Sequence, residues 1–301
     1  MNYEEFKEKI LEAVRNIYGN DVEVDITRLQ RHNRQDYDGI YAASKDTGDK
    51  LTPVIGLGMF YEEYSSGVMD MDECASAIYR ELKRNEATES MINFKNKILD
   101  WDSIKGYIYP ILLSTKENEE LLEKLVSMPM LDLSVAYIIR KEMPNGYYGS
   151  VKISNKILEC YGISAEELHR QALENLERDG YEFQDMKTLA KNYLSEELSG
   201  VWDYVSKEPV EMYILTNSKS FGAAGILNKE LIRKFAGKRD YYILPSSLHE
   251  TIFVPVSDEN GKEMLDSMVK EVNDSVLDAE DVLSDHSYFY DANADEIRIC
   301  A

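Results

Sequence analysis

The chain is poor in the residues that mark secreted, metal-binding and membrane proteins. Its 301 residues include only 3 cysteines, 4 histidines and 2 tryptophans. The cysteines (Cys74, Cys160 and Cys300) lie far apart and form no CxxC pair, which favours free thiols in a reducing cytoplasm over a disulfide framework. No apolar run reaches the roughly 18 residues of a membrane span, and the N-terminal MNYEEFKEKILEAVRN lacks a signal peptide's apolar segment. We therefore expect a cytoplasmic protein with no membrane partner.

Positive charge is also scarce. The chain carries 34 Lys and Arg against 56 Asp and Glu, a formal net charge of -22. Binding a nucleic-acid backbone requires a basic footprint, and the densest basic stretch holds only Arg28, Arg31, His32 and Arg34. The composition therefore argues against nucleic acid as a partner, and it is compatible with a basic protein partner.

Apolar and aromatic residues are abundant by contrast. A hydrophobic fraction of 44% is sufficient for a sizeable core. The 21 tyrosines, against 8 phenylalanines, indicate either many half-buried strand positions or a tyrosine-rich docking surface.

Apolar periodicity predicts helices and strands in mixed order. Helical spacing covers Tyr3–Ile17, Pro53–Tyr64, Asp70–Arg84, Lys116–Val126, Ser164–Leu176, Met186–Leu194 and Met264–Val272. Strand patterns cover Val22–Ile26, Gly39–Ser44, Gly106–Ser114, Leu131–Arg140, Tyr147–Asn155, Tyr213–Leu215, Tyr241–Leu244, Thr251–Val256, Ser287–Tyr290 and Glu296–Ile299. Because the two kinds of element do not alternate strictly, we predict an α+β fold of mixed sheet elements with packed helices.

A domain boundary is predicted where Pro129 interrupts the helical pattern. It would divide the chain into residues 1–128 and 129–301, both α+β, although no Gly/Ser linker marks the boundary. One continuous domain is the alternative. Further along, Pro144-Asn145-Gly146 predicts a turn between two strands.

The C-terminal half is built on a predicted strand–helix–strand–strand unit, residues 212–256. Its first strand ends in Thr216-Asn217, and Gly222 begins the helix with a run of small residues. Such a turn can present backbone N–H groups to an anion, but it lacks the Walker lysine and the full GxGxxG pattern. Thr216, Asn217, Gly222 and Ser246 are candidate ligand-binding residues, and close packing of the helix on the sheet is the alternative interpretation.

The same unit holds a Ser-Ser-x-His-Glu cluster with candidate catalytic residues Ser247, His249 and Glu250. A nucleophilic serine needs a histidine base and an acid that orients the imidazole. In an extended segment Ser247 and His249 share one face while Glu250 points to the other, so the acid would come from elsewhere, for instance Asp285 or Asp240. The alternative is a turn whose hydroxyls bond the backbone. This cluster meets Thr216 and Gly222 only if the strands that precede them run parallel.

The sequence predicts neither a metal site nor a cofactor. No two histidines have ligand spacing, and the segment His249-Glu250-Thr251-Ile252-Phe253 is not the HExxH of zinc proteases. His169 lies on the polar side of its predicted helix, so we expect it to be solvated.

Several motifs, taken in order, resemble a known family. They are TPVIGLGMFYEEYSSG, IYPILLSTKENEELL, LDLSVAY, SAEELHRQALEN, LTNSKSFGAAGILN and LPSSLHETIFVP. They resemble the bacterial family called domain of unknown function 5688, over nearly the whole chain. A fainter likeness links the chain to domain of unknown function 1444. The resemblance implies one co-inherited architecture in a bacterial cytoplasmic protein, and it transfers no mechanism.

Two functions follow as hypotheses. Because no catalytic constellation is complete, the first is a non-enzymatic protein that binds another macromolecule through a tyrosine-rich or acidic surface. The alternative is a small-molecule hydrolase that uses Ser247 and His249 near the Gly222 helix start.

Overall fold

The chain divides into two compact units, Met1–Ile98 and Leu99–Ala301. A computed structural model describes residues 1–30, 32–33, 36–45, 53–85, 94, 96–142, 148–193, 211–217, 219, 221–257, 261–275 and 277–300. The division differs from the boundary predicted after residue 128, which falls inside a strand. The predicted turn at 144–146 lies outside the described residues.

The first unit packs helices against a three-stranded antiparallel sheet in the order β1-β2-β3. Its elements are α1 (Tyr3–Tyr18), β1 (Val22–Gln30), β2 (Asp36–Ser44), β3 (Val54–Gly56), α2 (Gly58–Ser65) and α3 (Met71–Arg84). Asn2 and Asp70 each form a capping box that satisfies the first backbone N–H groups of α1 and α3. The helices bury one apolar stripe each, including Phe6, Ile10 and Ile78, in a common core.

The helix predicted from Pro53 is wrong at its start. Val54 and Ile55 pair with β2, opposite Tyr41 and Ile40, and α2 begins only at Gly58. β-Branched side chains favour the extended conformation, and the pairing with β2 supplies their backbone partners.

The second unit contains two antiparallel sheets. In the smaller one the order is β4-β6-β5, and β7 also pairs with β6. Its elements are α4 (Trp101–Ile104), β4 (Ile108–Ser114), α5 (Glu119–Leu122), β5 (Ser127–Met130), β6 (Leu133–Glu142), β7 (Tyr148–Lys152), α6 (Asn155–Tyr161) and α7 (Ala165–Glu177), with 3₁₀ helices at Lys105–Tyr107 and Lys116–Asn118. β6 is buried along most of its length.

The helix predicted over Lys116–Val126 is also wrong. A short 3₁₀ helix and the single turn α5 replace it, and the chain then leaves helical geometry. Leu125 bridges to Ser154, and the Val126 N–H donates to the Ile153 carbonyl at 3.1 Å, so sheet-like pairing competes with the helix. Pro129 lies in β5 rather than at a break, as edge strands tolerate proline.

The larger sheet has the order β13-β12-β10-β11-β9-β8, and every neighbouring pair is antiparallel. Its elements are β8 (Glu182–Asp185), α8 (Met186–Tyr193), β9 (Tyr213–Thr216), a 3₁₀ helix (Gly222–Leu227), α9 (Lys229–Ala236), β10 (Tyr241–Leu244), β11 (Thr251–Pro255), α10 (Lys262–Ser275), β12 (Tyr288–Asp291) and β13 (Glu296–Ile299). The predicted strand–helix–strand–strand unit is present, although its helix begins as the 3₁₀ helix.

Helices cover both faces of the larger sheet. Leu265 and Val269 of α10 pack with Leu244 and Val254 on one face. On the other face Phe235 of α9 stacks on Phe183, with ring centroids 3.6 Å apart, and also contacts Tyr241 and Phe253. The α+β prediction is confirmed. None of the helices in the described ranges is long and apolar enough to cross a membrane.

Candidate functional site

Two places in the second unit gather polar or apolar groups in a way that suggests function. The first is the edge of the larger sheet where β9 and β10 end. Both strands are antiparallel to β11, which lies between them, so they run in the same direction. The geometric condition set by the sequence is therefore met, and Thr216 and Asn217 reach the same edge as Ser246, Ser247 and His249.

Gly222 approaches this edge so closely that its role is packing. A Cβ atom there would lie 2.1 Å from the His249 carbonyl oxygen and 2.9 Å from Thr216 Oγ1. The Ala223 N–H donates to the Leu248 carbonyl at 3.1 Å. The glycine thus lets the 3₁₀ helix lie against the chain that enters β11.

The Ser247 hydroxyl is turned toward its own backbone. The residue is 1% exposed, and its Oγ accepts the His249 N–H at 3.0 Å, as in a serine turn. The Ser246 carbonyl accepts the Leu283 N–H at 2.8 Å, which ties the segment to the chain before β12. Glu250 is half-buried just before β11. In this conformation the Ser247 oxygen does not face solvent as a nucleophile would.

His249 is paired with a carboxylate that the sequence did not single out. Its Nε2 lies 3.3 Å from Asp281 Oδ1, and its side chain is 46% exposed. The two acids named from sequence have other partners, since Asp240 accepts the Ala292 N–H at 2.8 Å and Asp285 lies 2.8 Å from His286 Nδ1. The acid comes from elsewhere in the chain, as expected, but it is Asp281 and neither of the two named examples.

Asn217 belongs to a buried charge cluster that the sequence analysis missed. Its Nδ2 donates to Asp179 Oδ2 at 2.7 Å. Asp179 Oδ1 accepts from Lys219 Nζ at 2.7 Å and from the Arg140 guanidinium, and the side chains of Arg140 and Asp179 are 4% and 1% exposed. The Tyr109 ring lies 3.8 Å beneath the guanidinium. Every oxygen of the carboxylate is thus used within the protein.

The second place is an apolar groove with a volume of about 300 Å³. Its apolar lining includes Met130, Leu131, Leu173, Ile226, Ile232 and Ile297. His169, Lys229, Asp295 and Glu296 add polar groups to the lining. These residues come from the β5–β6 turn, α7, the segment from the 3₁₀ helix into α9, and the β12–β13 hairpin.

The polar groups of the groove differ in whether they are already hydrogen-bonded or ion-paired within the protein. Arg233 and Tyr290 each donate a hydrogen bond to the Asp295 carboxylate. These two bonds, that of Arg233 having the larger effect, hold the pKa of the carboxyl below its usual range. His169 Nδ1 lies 2.8 Å from the hydroxyl of the buried Tyr137, and burial lowers the pKa of His169. The expectation of a solvated His169 is therefore wrong, because the side chain is half-buried and bonded to Tyr137 of β6. Lys229 forms no ion pair with the part of the chain that the structure describes.

Leu131 projects into the mouth of the groove from an unusual backbone conformation. It opens the two-residue turn between β5 and β6 with a φ of 56°, a position where glycine is usual, and it is 43% exposed. Asp132 anchors the turn by accepting the Tyr288 hydroxyl at 2.6 Å. The other non-glycine residues with positive φ in the described ranges are Asn33, Phe221 and Asp295.

Across the residues that the structure describes, no three His, Cys, Asp or Glu side chains gather as a metal site would require. The arrangement can bind apolar groups in the groove and can move a proton at the His249–Asp281 pair.

The described residues define an α+β protein whose second unit carries an apolar groove. A family model described as "Family of unknown function (DUF5688)" matches residues 3–292. The chain belongs to this family, which confirms the resemblance found in its motifs. No curated protein and no solved structure matches the chain. β13 lies beyond the matched range.

Proposed function

We propose that this protein is a non-enzymatic, protein-binding protein of the bacterial cytoplasm, and that the apolar groove receives side chains of its partner. The groove carries the proposal, because it is a preformed concave surface with an apolar lining and a few polar groups. The wide separation of the three thiols supports the cytoplasm, and the family resemblance supports a bacterial source.

The size of the groove favours a protein partner over a cofactor. Its volume of about 300 Å³ is at the lower limit of the roughly 300–1,000 Å³ typical of small-molecule sites. Such a cavity accommodates a few anchoring side chains, which is how protein interfaces concentrate their binding energy.

Charge favours a basic partner. With a net charge of -22, the chain attracts basic proteins and repels nucleic acids and acidic surfaces. The association should therefore weaken as the salt concentration rises.

Capture from native lysate tests the proposal with two matched variants. Leu131→Asn makes the groove mouth polar, and asparagine tolerates a positive φ. Met264→Asn is the control, since Met264 on α10 is 40% exposed against 43% for Leu131 and lies on the opposite face of the sheet. Losing most of a buried leucine contact is expected to weaken binding at least about tenfold.

The expected result is a salt-sensitive partner that the wild type and Met264→Asn retain and Leu131→Asn loses. Its binding to the purified proteins should then be measured by calorimetry. If the wild type is a clean monomer without a partner at near-physiological salt, or if both variants capture the same proteins equally, the proposal fails.

A small-molecule hydrolase is the second candidate, and the His249–Asp281 pair favours it. The carboxylate would orient the imidazole as a general base. Ser247 would have to rotate away from the His249 N–H to act as a nucleophile, at the sheet edge that Thr216 and Asn217 also reach. If His249→Ala folds normally and leaves the turnover of every discovered substrate unchanged, this candidate is excluded.

A further inference from the structure

We infer that the partner binds as an additional β-strand along the outer edge of β13, with apolar side chains alternating with basic ones. The inference rests on the proposed function of the groove and names the chemistry of its occupant. An extended segment of this kind gains affinity from backbone hydrogen bonds and specificity from pockets for alternate side chains.

The outer edge of β13 offers free backbone groups. β13 is the terminal strand of its sheet, and among the described residues no strand pairs with its outer side. The Cys300 N–H donates to the Ser287 carbonyl at 3.4 Å, which marks a hydrogen-bonded pair directly beyond the pair Tyr288–Ile299. Because such pairs alternate along an antiparallel ladder, the N–H and C=O groups of Ile297 and Ile299 point outward.

The same two residues extend the apolar groove along the edge. Ile297 lies opposite Tyr290 and Ile299 opposite Tyr288, so both side chains project from one face of the sheet. Ile297 lines the groove, and Ile299 is 40% exposed. A strand placed beside β13 would put every second side chain on this face, next to the groove.

The other face of β13 indicates the charge of the alternate side chains. Arg298 is already engaged, since its guanidinium lies 4.9 Å from the Phe289 ring centroid and 3.9 Å from Asp291. Glu296 begins β13 at the end of the groove, and the register places its side chain on the face of Arg298; it is exposed and forms no ion pair with the described residues. A lysine or arginine of the incoming strand would pair with Glu296, in agreement with the net charge of -22. That charge also opposes a second copy of this chain as the occupant.

A fluorescent, end-capped peptide of alternating valine and lysine is a suitable probe, with binding to the full-length protein measured by fluorescence anisotropy. Ile299→Pro removes an outward N–H and no bond to β12, whereas Ile299→Ala removes only the side chain. The same peptide with all backbone amides N-methylated keeps its side chains and donates no hydrogen bond from its backbone. This second arm needs no protein variant.

We expect saturable, salt-sensitive binding of the probe by the wild type. Ile299→Pro should bind about tenfold more weakly than Ile299→Ala, and N-methylation should weaken binding by at least as much. Leu131→Asn should also weaken it, because the valines enter the groove.

Three results would overturn the inference. One is the absence of probe binding at millimolar concentration. Another is a wild-type dimer in sedimentation that Ile299→Pro dissociates, which would identify a second copy as the occupant. In the third, Leu131→Asn abolishes binding while Ile299→Pro and N-methylation change it by no more than about twofold. This last result leaves groove binding intact, whereas probe binding that is insensitive to Leu131→Asn contradicts the proposed function itself.

Discussion

Asp179→Asn is the most informative test of how the second unit is held together. The carboxylate side chain is 1% exposed and neutralises Arg140, which is 4% exposed, while it also accepts from Lys219 and Asn217. An asparagine keeps the size of the side chain but removes the charge. Its amide nitrogen would also oppose the Asn217 or the Arg140 donor, so at least one buried donor loses its acceptor.

The magnitude follows from leaving a buried guanidinium unpaired. Removing one partner of a buried ion pair costs about 3–5 kcal/mol, and the Tyr109 ring 3.8 Å from Arg140 offsets only part of this. Lys219 is 29% exposed and can turn to water. We expect a loss of about 3 kcal/mol in the free energy of unfolding, which lowers the urea midpoint by about 1.5 M at a slope of about 2 kcal/mol/M.

Urea unfolding followed by tryptophan fluorescence measures this change. Trp101 lies in the second unit with its ring 5.4 Å from that of Tyr161, so its fluorescence reports that unit. Asp102→Asn is the control, because Asp102 pairs with Lys105 at 2.8 Å but is 84% exposed, and such pairs contribute little. A midpoint shift no larger than that of Asp102→Asn would refute the assignment of Asp179 as the central buried charge.

Three further predictions concern individual contacts. Gly222→Ala should cost about 1–3 kcal/mol in urea unfolding, because its methyl group would meet the nearby backbone carbonyl at 2.1 Å; an unchanged midpoint would contradict the close approach. Iodoacetamide should modify the exposed Cys160 in the folded protein and the buried Cys74 only after unfolding, as mass spectrometry can show. The hydrogen bond from His286 lowers the pKa of Asp285, so this carboxylate contributes stability above its unfolded pKa that is lost as pH falls through the folded pKa. In an NMR titration His286→Ala should return the Asp285 pKa toward its ordinary value, and no change would exclude the hydrogen bond as the cause.

Local sequence signals predicted the parts of the fold that local interactions determine. The helices α1 and α3, which Asn2 and Asp70 cap, and the strands β12 and β13, which a short turn joins, all depend on residues close together in the chain. Pro53 precedes β3 and Pro129 lies within β5, and the sequence does not reveal the pairing partner of either strand. Pairing with β2 and β6 decides those segments.

The candidate sites also depend on contacts between residues far apart in the chain, which local sequence signals do not reveal. The Ser-Ser-x-His-Glu cluster was a candidate catalytic site because its residues are adjacent in sequence. In the structure, however, the Ser247 hydroxyl oxygen accepts a hydrogen bond from the nearby His249 N–H. The Arg140–Asp179–Asn217 cluster joins residues 39 and 38 positions apart in sequence, which no spacing rule connects. The only available signal was an arginine at the end of the apolar run LDLSVAYIIR, since a charge in a buried strand needs a partner.

Backbone strain separates the two candidate places. Leu131 and Phe221 are the bulky residues with positive φ in the described ranges, and a left-handed conformation costs each about 1–2 kcal/mol. Phe221 is half-buried, and its ring lies 6.3 Å from that of His249, so packing offsets its strain. Leu131 is 43% exposed, so packing does not offset its strain in the same way, and its side chain instead lines the groove.

This difference predicts opposite outcomes for the same substitution. Leu131→Asn should leave the urea midpoint unchanged or raise the free energy of unfolding by up to about 1 kcal/mol, because asparagine tolerates positive φ, and it should weaken partner binding. Phe221→Asn relieves the same strain but removes a packed ring, so it should lower the midpoint. Gains in stability at the expense of binding are the usual mark of a residue retained for function. If Leu131→Asn destabilises the protein as much as Phe221→Asn does, Leu131 is a structural residue. Its strained backbone then no longer supports a binding function for the groove.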